Sequence, residues 1–274
     1  MNAHDLFKAG QLREALAASL AEVREHPTDT ARRLFLAELL SFSGELERAD
    51  NQLSALGQND PQAMALILLF RHLVRAEQAR QDVWTQGRMP EFSGQADAAV
   101  RRLLEAVIRV REGALAEAVG LLDQAEEQRT KLAGTCNGQP FSDFRDLDDL
   151  TACILEALTM NGQYYWVPLA RIETIEFREP ARPRDLVWRR THLILRDGAD
   201  IEVFCPVLYP GSAAETDDML RLGRATDWRG GDGAPVRGVG QRTFLVGEEA
   251  TPILEIQTVT FAGSEGESRV ASRE

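Results

Sequence analysis

A chain of 274 residues with 44% apolar and 27% charged positions can bury one large core or two ordinary ones. A formal charge of −12 makes its average surface repel phosphate, which excludes an electrostatic footprint for nucleic acid. Cys136, Cys153 and Cys205 fit neither a disulfide framework nor a zinc pattern, and the longest apolar run, Ala63 to Phe70, is too short to span a bilayer. His4, Asp5 and Lys8 interrupt the N-terminus before a leader core could form, so the expected location is the cytoplasm, with no membrane partner.

The first half reads as a helical repeat. Gly10-Gln-Leu12-Arg-Glu-Ala15 recurs as Gly44-Glu-Leu46-Glu-Arg-Ala49 and again as Gly113-Ala-Leu115-Ala-Glu-Ala118; Pro27 recurs as Pro61. The first two copies, and the two prolines, are spaced as in a tetratricopeptide array, in which helical hairpins stack on one another. Glycine permits the turn after the first helix of each hairpin, leucine and alanine face inward on the second, and proline stops the unit. An irregular helical bundle is the alternative. An additional helix is expected over about 61–84. Its Ala63–Phe70 stretch is apolar on nearly every side, which calls for burial or for a partner. The segment 86–94 reads as a loop, followed by a helix over about 95–111 and its partner over about 115–132.

At Gly134 to Pro140 a loop marks the expected domain boundary, and Leu147 to Met160 reads as one further helix. Asp146, Asp148 and Asp149 then crowd its first turn, suited to the helix dipole and to capping; a metal cluster would lack a nearby His or Cys. From Gln163 the pattern becomes strand-like, with candidates at 164–168, 172–177, 186–195, 201–205, 241–246 and 253–261. Ile172, Thr174 and Glu176 would share one face of theirs, opposite Glu173, Ile175 and Phe177. Arg196-Asp197-Gly198 signals a hairpin, and Gly230 to Gly240 reads as a glycine-rich loop. The predicted class is α+β: a tetratricopeptide-like helical domain over 1–133, a β-rich domain over 141–262, and a disordered tail over 263–274.

No motif for a nucleophile elbow, a zinc protease or a phosphate loop is present, and the expected protein is no enzyme and carries no cofactor or metal. Seven arginines between Arg171 and Arg196 form a local basic patch. They suit a carboxylate-rich partner, or they pair with Glu173, Glu176, Glu179 and Asp185 on a solvated sheet face.

The most distinctive residues are Gly162-Gln-Tyr164-Tyr165-Trp166-Val-Pro168 and Arg182-Pro-Arg184-Asp185-Leu-Val-Trp188-Arg189-Arg190. With Gly87-Arg88 to Gly94, Asp146-Leu-Asp-Asp149, Leu155-Glu156, Phe177, Glu202-Val-Phe204-Cys-Pro206, Tyr209 and the repeat glycines, they resemble the ImpE family, also called TagJ. The resemblance implies a non-enzymatic accessory protein of bacterial type VI secretion. It implies as partner the N-terminal helix of the small sheath subunit TssB, with the ClpV ATPase linked indirectly through sheath recycling. In a tetratricopeptide array such a helix would lie against the first helices of the hairpins, lined here by Leu34, Glu38, Ser41 and Phe42 and by Leu103, Val107 and Val110. Phe42 is the leading anchor, or else a core residue closing its helix pair. A general co-chaperone or scaffold outside secretion, and a ligand-binding or hydrolytic site in the β-rich half, are the other function classes.

Overall fold

A computed structural model of the chain describes residues 1–56 and 61–263. Its N-terminal half is helical: α1 (Ala3–Lys8), α2 (Leu12–Glu25), α3 (Thr30–Phe42), α4 (Leu46–Ser54), α5 (Pro61–Gln86), α6 (Ala98–Arg111) and α7 (Leu115–Gln128). The three repeated glycines do the same work. Gly10, Gly44 and Gly113 all have positive φ, and each donates to the third carbonyl back while its successor donates to the fifth. This Schellman arrangement satisfies the last carbonyls of α1, α3 and α6 and turns the chain into the next helix.

Helices α2 to α5 each pack on the one before. After α5 the stack stops. The chain enters a two-residue strand, β1 (Glu91–Phe92), inside the expected loop, and the α6–α7 hairpin packs against the sheet side of the molecule instead.

The C-terminal half holds β2 (Gly134–Cys136), β3 (Gln139–Phe141), β4 (Phe144–Asp146), β5 (Ile154–Thr159), β6 (Tyr164–Pro168), β7 (Ile172–Phe177), β8 (Trp188–Leu195) and β9 (Asp200–Pro206). A short α8 (Asp218–Arg221) precedes β10 (Thr226–Gly231), β11 (Ala234–Gly240), β12 (Thr243–Val246), β13 (Glu249–Pro252) and β14 (Thr258–Phe261). The main sheet runs β1-β6-β5-β9-β8-β7-β14-β2-β3, with β10-β11 and β13-β12-β4 as separate small sheets. Among described residues only the β1–β6 pairing is parallel.

Several expectations are corrected here. Residues 147–160 form no α-helix: a 3-10 turn at Asp149–Thr151 leads into β5. Ile154 to Leu158 are buried on both faces of a central strand, and so short an apolar run, interrupted only by Glu156, carries no period that distinguishes strand from helix. The glycine-rich 230–240 loop is the hairpin β10–β11, and the 134–140 loop is the hairpin β2–β3, turned by Asn137 and Gly138, both at positive φ. Residues 253–255 form a 3-10 turn before β14. In β7 a register shift between Ile172 and Thr174 breaks the alternation, so that Ile172, Ile175 and Phe177 are all buried. The hairpin at Arg196–Gly198 joins β8 to β9 as expected. Most of the expected tail, 264–274, lies outside the described residues.

One face of the main sheet meets the helices. Ile154, Leu158, Tyr164, Trp166, Trp188 and Phe204 join the helical residues in one continuous core. Leu155, Ala157, Val167, Leu193 and Val203 point the other way, into a second core closed by Phe144, Phe244 and Phe261. The sheet is thus a middle layer with apolar packing on both sides.

Candidate functional site

The largest concentration of chemistry lies where α5 crosses the sheet. Glu77, Arg80 and Trp84 share one side of α5 at helical spacing, while Glu156 alternates on β5 toward the same side. Arg80 clasps Glu156 with two bonds, Nε to Oε1 at 2.8 Å and Nη2 to Oε2 at 3.0 Å. Its remaining N–H groups reach Glu77 Oε1 at 2.9 Å and the Leu208 carbonyl at 2.9 Å. Trp84 Nε1 donates to Glu156 at 3.1 Å, Tyr164 donates its hydroxyl to the same oxygen, and Trp166 Nε1 donates to Tyr164 at 2.6 Å. Trp188 Nε1 donates to Glu77 Oε2 at 2.9 Å.

From the other side Arg242 bridges Glu156 and Asp146. Tyr209 completes the seam, donating to Asp146 Oδ1 at 2.7 Å and accepting from the Thr243 amide at 3.0 Å. Asp148, also buried, accepts from Leu150 N, Arg237 Nε and Gly238 N. Gly238 has to be glycine, since a Cβ there would fall 2.3 Å from the Tyr209 ring.

The electrostatics follow from this packing. Burial opposes the charged form of Glu156, but Arg80 and Arg242 outweigh it and hold its pKa down at about 2. Asp146 is pushed upward because burial outweighs its single arginine. Tyr164 and Tyr209 are both raised, chiefly by burial and then by the neighbouring carboxylates, so neither is disposed to lose its proton. Glu156, Arg80 and Tyr164 are tied to one another and to fixed groups. The seam is built to hold two layers together.

The motif residues divide accordingly. Tyr164, Trp166 and Trp188 belong to the seam; Pro168 ends β6; Tyr165 lies on the opposite face of that strand, packed against the second core. Asp185 accepts from the backbone amides of Ala181 and Arg182, which fixes the turn. Arg184 lies over the Phe70 ring at 5.0 Å and 4.0 Å from Glu38. Arg189 is buried, donating to the carbonyls of Arg178, Ile253 and Ile256. Arg190 pairs with Glu202, Arg178 with Glu176 and Glu202, and Arg171 with Asp197. Arg171, Arg178, Arg184 and Arg190 thus meet carboxylates within the chain; of the expected partners Glu176 is among them, while Asp197, Glu202 and Glu38 take the place of Glu173, Glu179 and Asp185.

The residues expected to line a helix groove lie elsewhere than on an open face. Glu38, Ser41, Phe42, Leu103 and Val107 are buried; only Leu34 and Val110 are partly exposed. The 183–186 turn packs on α3, so the chain's own second half covers that side of the helical half. Phe42 sits against Phe7 with ring centroids 5.6 Å apart. Sequence reasoning missed Glu77, Arg80 and Arg242, whose partners are far away in the chain. The spacing Glu77–Arg80–Trp84 on one side of a long helix was the available signal.

Comparison with known proteins agrees with this architecture. The sequence model of the family described as ImpE protein matches residues 138–260, which includes Asp146, Glu156, Tyr164, Trp188 and Arg242. The chain belongs to the ImpE family. Its relatives include the type VI secretion system accessory component TagJ of Pseudomonas aeruginosa, 31% identical over 261 residues, 95% of this chain and 91% of the relative. The crystal structure of protein VPA1032 from Vibrio parahaemolyticus matches with a TM-score of 0.88 at 29% identity, over 96% of this chain and 98% of that one.

Proposed function

We propose that this chain is a non-enzymatic accessory component of a type VI secretion system that works through protein contacts. The observation that carries the reading is 31% identity over 95% of the chain to a protein of that name. The internal use of the motif residues supports it. The aromatic and arginine motifs that set the chain apart are spent on the seam and on fixed turns, as expected of a scaffold that must present a constant surface.

The partner we infer is the N-terminal helix of the small sheath subunit TssB, with ClpV linked through the sheath. A protein with five packed helices at one end offers helical faces for such a segment, and helix docking on an apolar face is a recurrent mode of recognition. Isothermal calorimetry with a synthetic peptide of that helix is expected to show saturable binding in the micromolar range. No heat across that range, together with no sheath protein recovered with the chain from its host, would refute the reading in favour of a scaffold outside secretion.

A further inference from the structure

The first turns of α5 carry an apolar side that the sheet does not reach. Ala65, Leu69, Leu73, Ala76 and Arg80 share one side of the helix by their spacing. From Leu73 onward the residues of that side are buried, where β5 and β6 cross the helix. The opposite side, with Ile67, Arg71 and Val74, faces α4, and Arg71 clasps Asp50 of α4 with bonds of 2.7 and 2.9 Å. Before Leu73 the first side is open among the described residues: Ala65 is exposed and Leu69 half-buried, and Leu66 and Leu68, which flank that line on its two edges, are 43% and 45% exposed. Met160, 53% exposed in the β5–β6 turn, extends the patch, since its carbonyl lies 2.7 Å from Nδ1 of His72, one turn beyond Leu68.

We propose that this patch docks an amphipathic helix of a partner, seated where the next helix of the stack would lie. Three observations select that occupant. Helices α2 to α5 each cover the one before, and among the described residues α5 alone in that series is left without a helical successor, because the chain departs into β1 while α6 and α7 pack on the sheet side. In a stacked array the side facing away from the preceding helix is the one its neighbour covers, and a terminal unit is ordinarily polar there. Here it is leucine-rich, with the small Ala65 allowing close approach of a helix backbone.

Charge supplies the third selection. Arg75 follows Leu68 by two turns on the same side, is exposed, and has no ion-pair partner among the described residues. The open stretch from Ala65 to His72 spans two turns, on the order of 10 Å at the helical rise. It therefore suits two turns of an apolar helix face followed by a carboxylate that meets Arg75. The inference rests on the helix-binding reading above and assigns it a surface.

The test is fluorescence anisotropy with a labelled synthetic peptide of the sheath-subunit helix. Leu66→Glu with Leu68→Glu, and separately Arg75→Glu, are expected to weaken binding at least tenfold without lowering the melting temperature, because these side chains are exposed. Leu115→Glu, on an exposed position of α7, is expected to bind as the unaltered protein does. Placing a Lys in the peptide at the position that the proposal sets against Arg75 is expected to restore binding to the Arg75→Glu variant. Undiminished binding by both α5 variants overturns the surface and leaves the function intact. Failure of the unaltered protein to bind overturns the function and the surface with it. A dimer by sedimentation that the Leu66→Glu, Leu68→Glu variant disperses assigns the patch to a second copy and overturns the proposal.

Discussion

Single residues decide how the two halves are joined. Glu156 takes charge from Arg80 and Arg242 in a buried site, so neutralising one partner strands the others. Arg80→Met is expected to lower stability by about 3–5 kcal/mol, and Arg80→Met with Glu156→Met by less than the sum of the single variants, read from urea midpoints. Glu38 is the contrary case. Burial pushes its carboxyl up to about 7, and Arg184 at 4.0 Å only partly counters this; Arg184 is itself lowered by burial, so both partners report a poor pair. A carboxyl raised in the folded state binds its proton more tightly there, so stability is greatest below about pH 4.5 for this group and falls as pH rises toward about 7. Thermal melts between these pH values are expected to show that decline, by at most about 3 kcal/mol, and Glu38→Gln to abolish it. Glu156 contributes oppositely: its stabilisation is present above its ordinary pKa and is lost as pH falls toward about 2.

At the scale of elements, glycines separate two kinds of requirement. Gly113 stands at positive φ in a turn where a Cβ would meet nothing within 4 Å, so its cost on substitution is purely conformational. Gly113→Ala is expected to destabilise by about 1 kcal/mol. Gly238→Ala drives a methyl into the Tyr209 ring and so disturbs the Asp146 bond as well; it is expected to cost more than Gly113→Ala in parallel denaturant titrations. Much of the element plan was legible in the chain. The 164–168 strand, the 172–177 strand, the hairpin at 196–198 and the repeated turns follow from local pattern and turn chemistry. Residues 147–160 did not, because acidic residues ahead of an apolar run look the same whether they cap a helix or are claimed by arginines 89 and 96 residues away. Asp148 does cap a turn, but the turn is 3-10 and Arg237 takes its remaining charge.

For the whole molecule, the shared core is the governing fact. Trp166 and Trp188 belong to the sheet, yet they are buried among helical residues such as Trp84 and Phe70, with ring centroids 5.8 and 6.0 Å apart. Trp188→Ala is expected to cost about 3–5 kcal/mol by cavity formation. Fragments 1–133 and 134–274, expressed separately, are expected to lose the cooperative melt of the full chain, as each would expose its side of the seam. A single sharp transition in either fragment would show the opposite. Among the described residues no cluster of three metal-binding side chains occurs, and a strong chelator is expected to leave the melting curve unchanged.

The sequence by itself determined the helical half, the repeated turns, the α+β class and the family, because these rest on local periodicity, on glycine at positive φ and on short distinctive motifs. It did not determine what the motifs do. Glu77, Arg80, Glu156 and Arg242 acquire their role only when α5 is laid across the sheet, since an ion pair has no local pattern to reveal its distant partner. Glu38, Ser41, Phe42, Leu103 and Val107 of the expected groove are buried for the same reason: the second half of the chain packs on that side of the helices. What remains open on α5 was decided by where the sheet ends, a tertiary boundary that no apolar run could disclose.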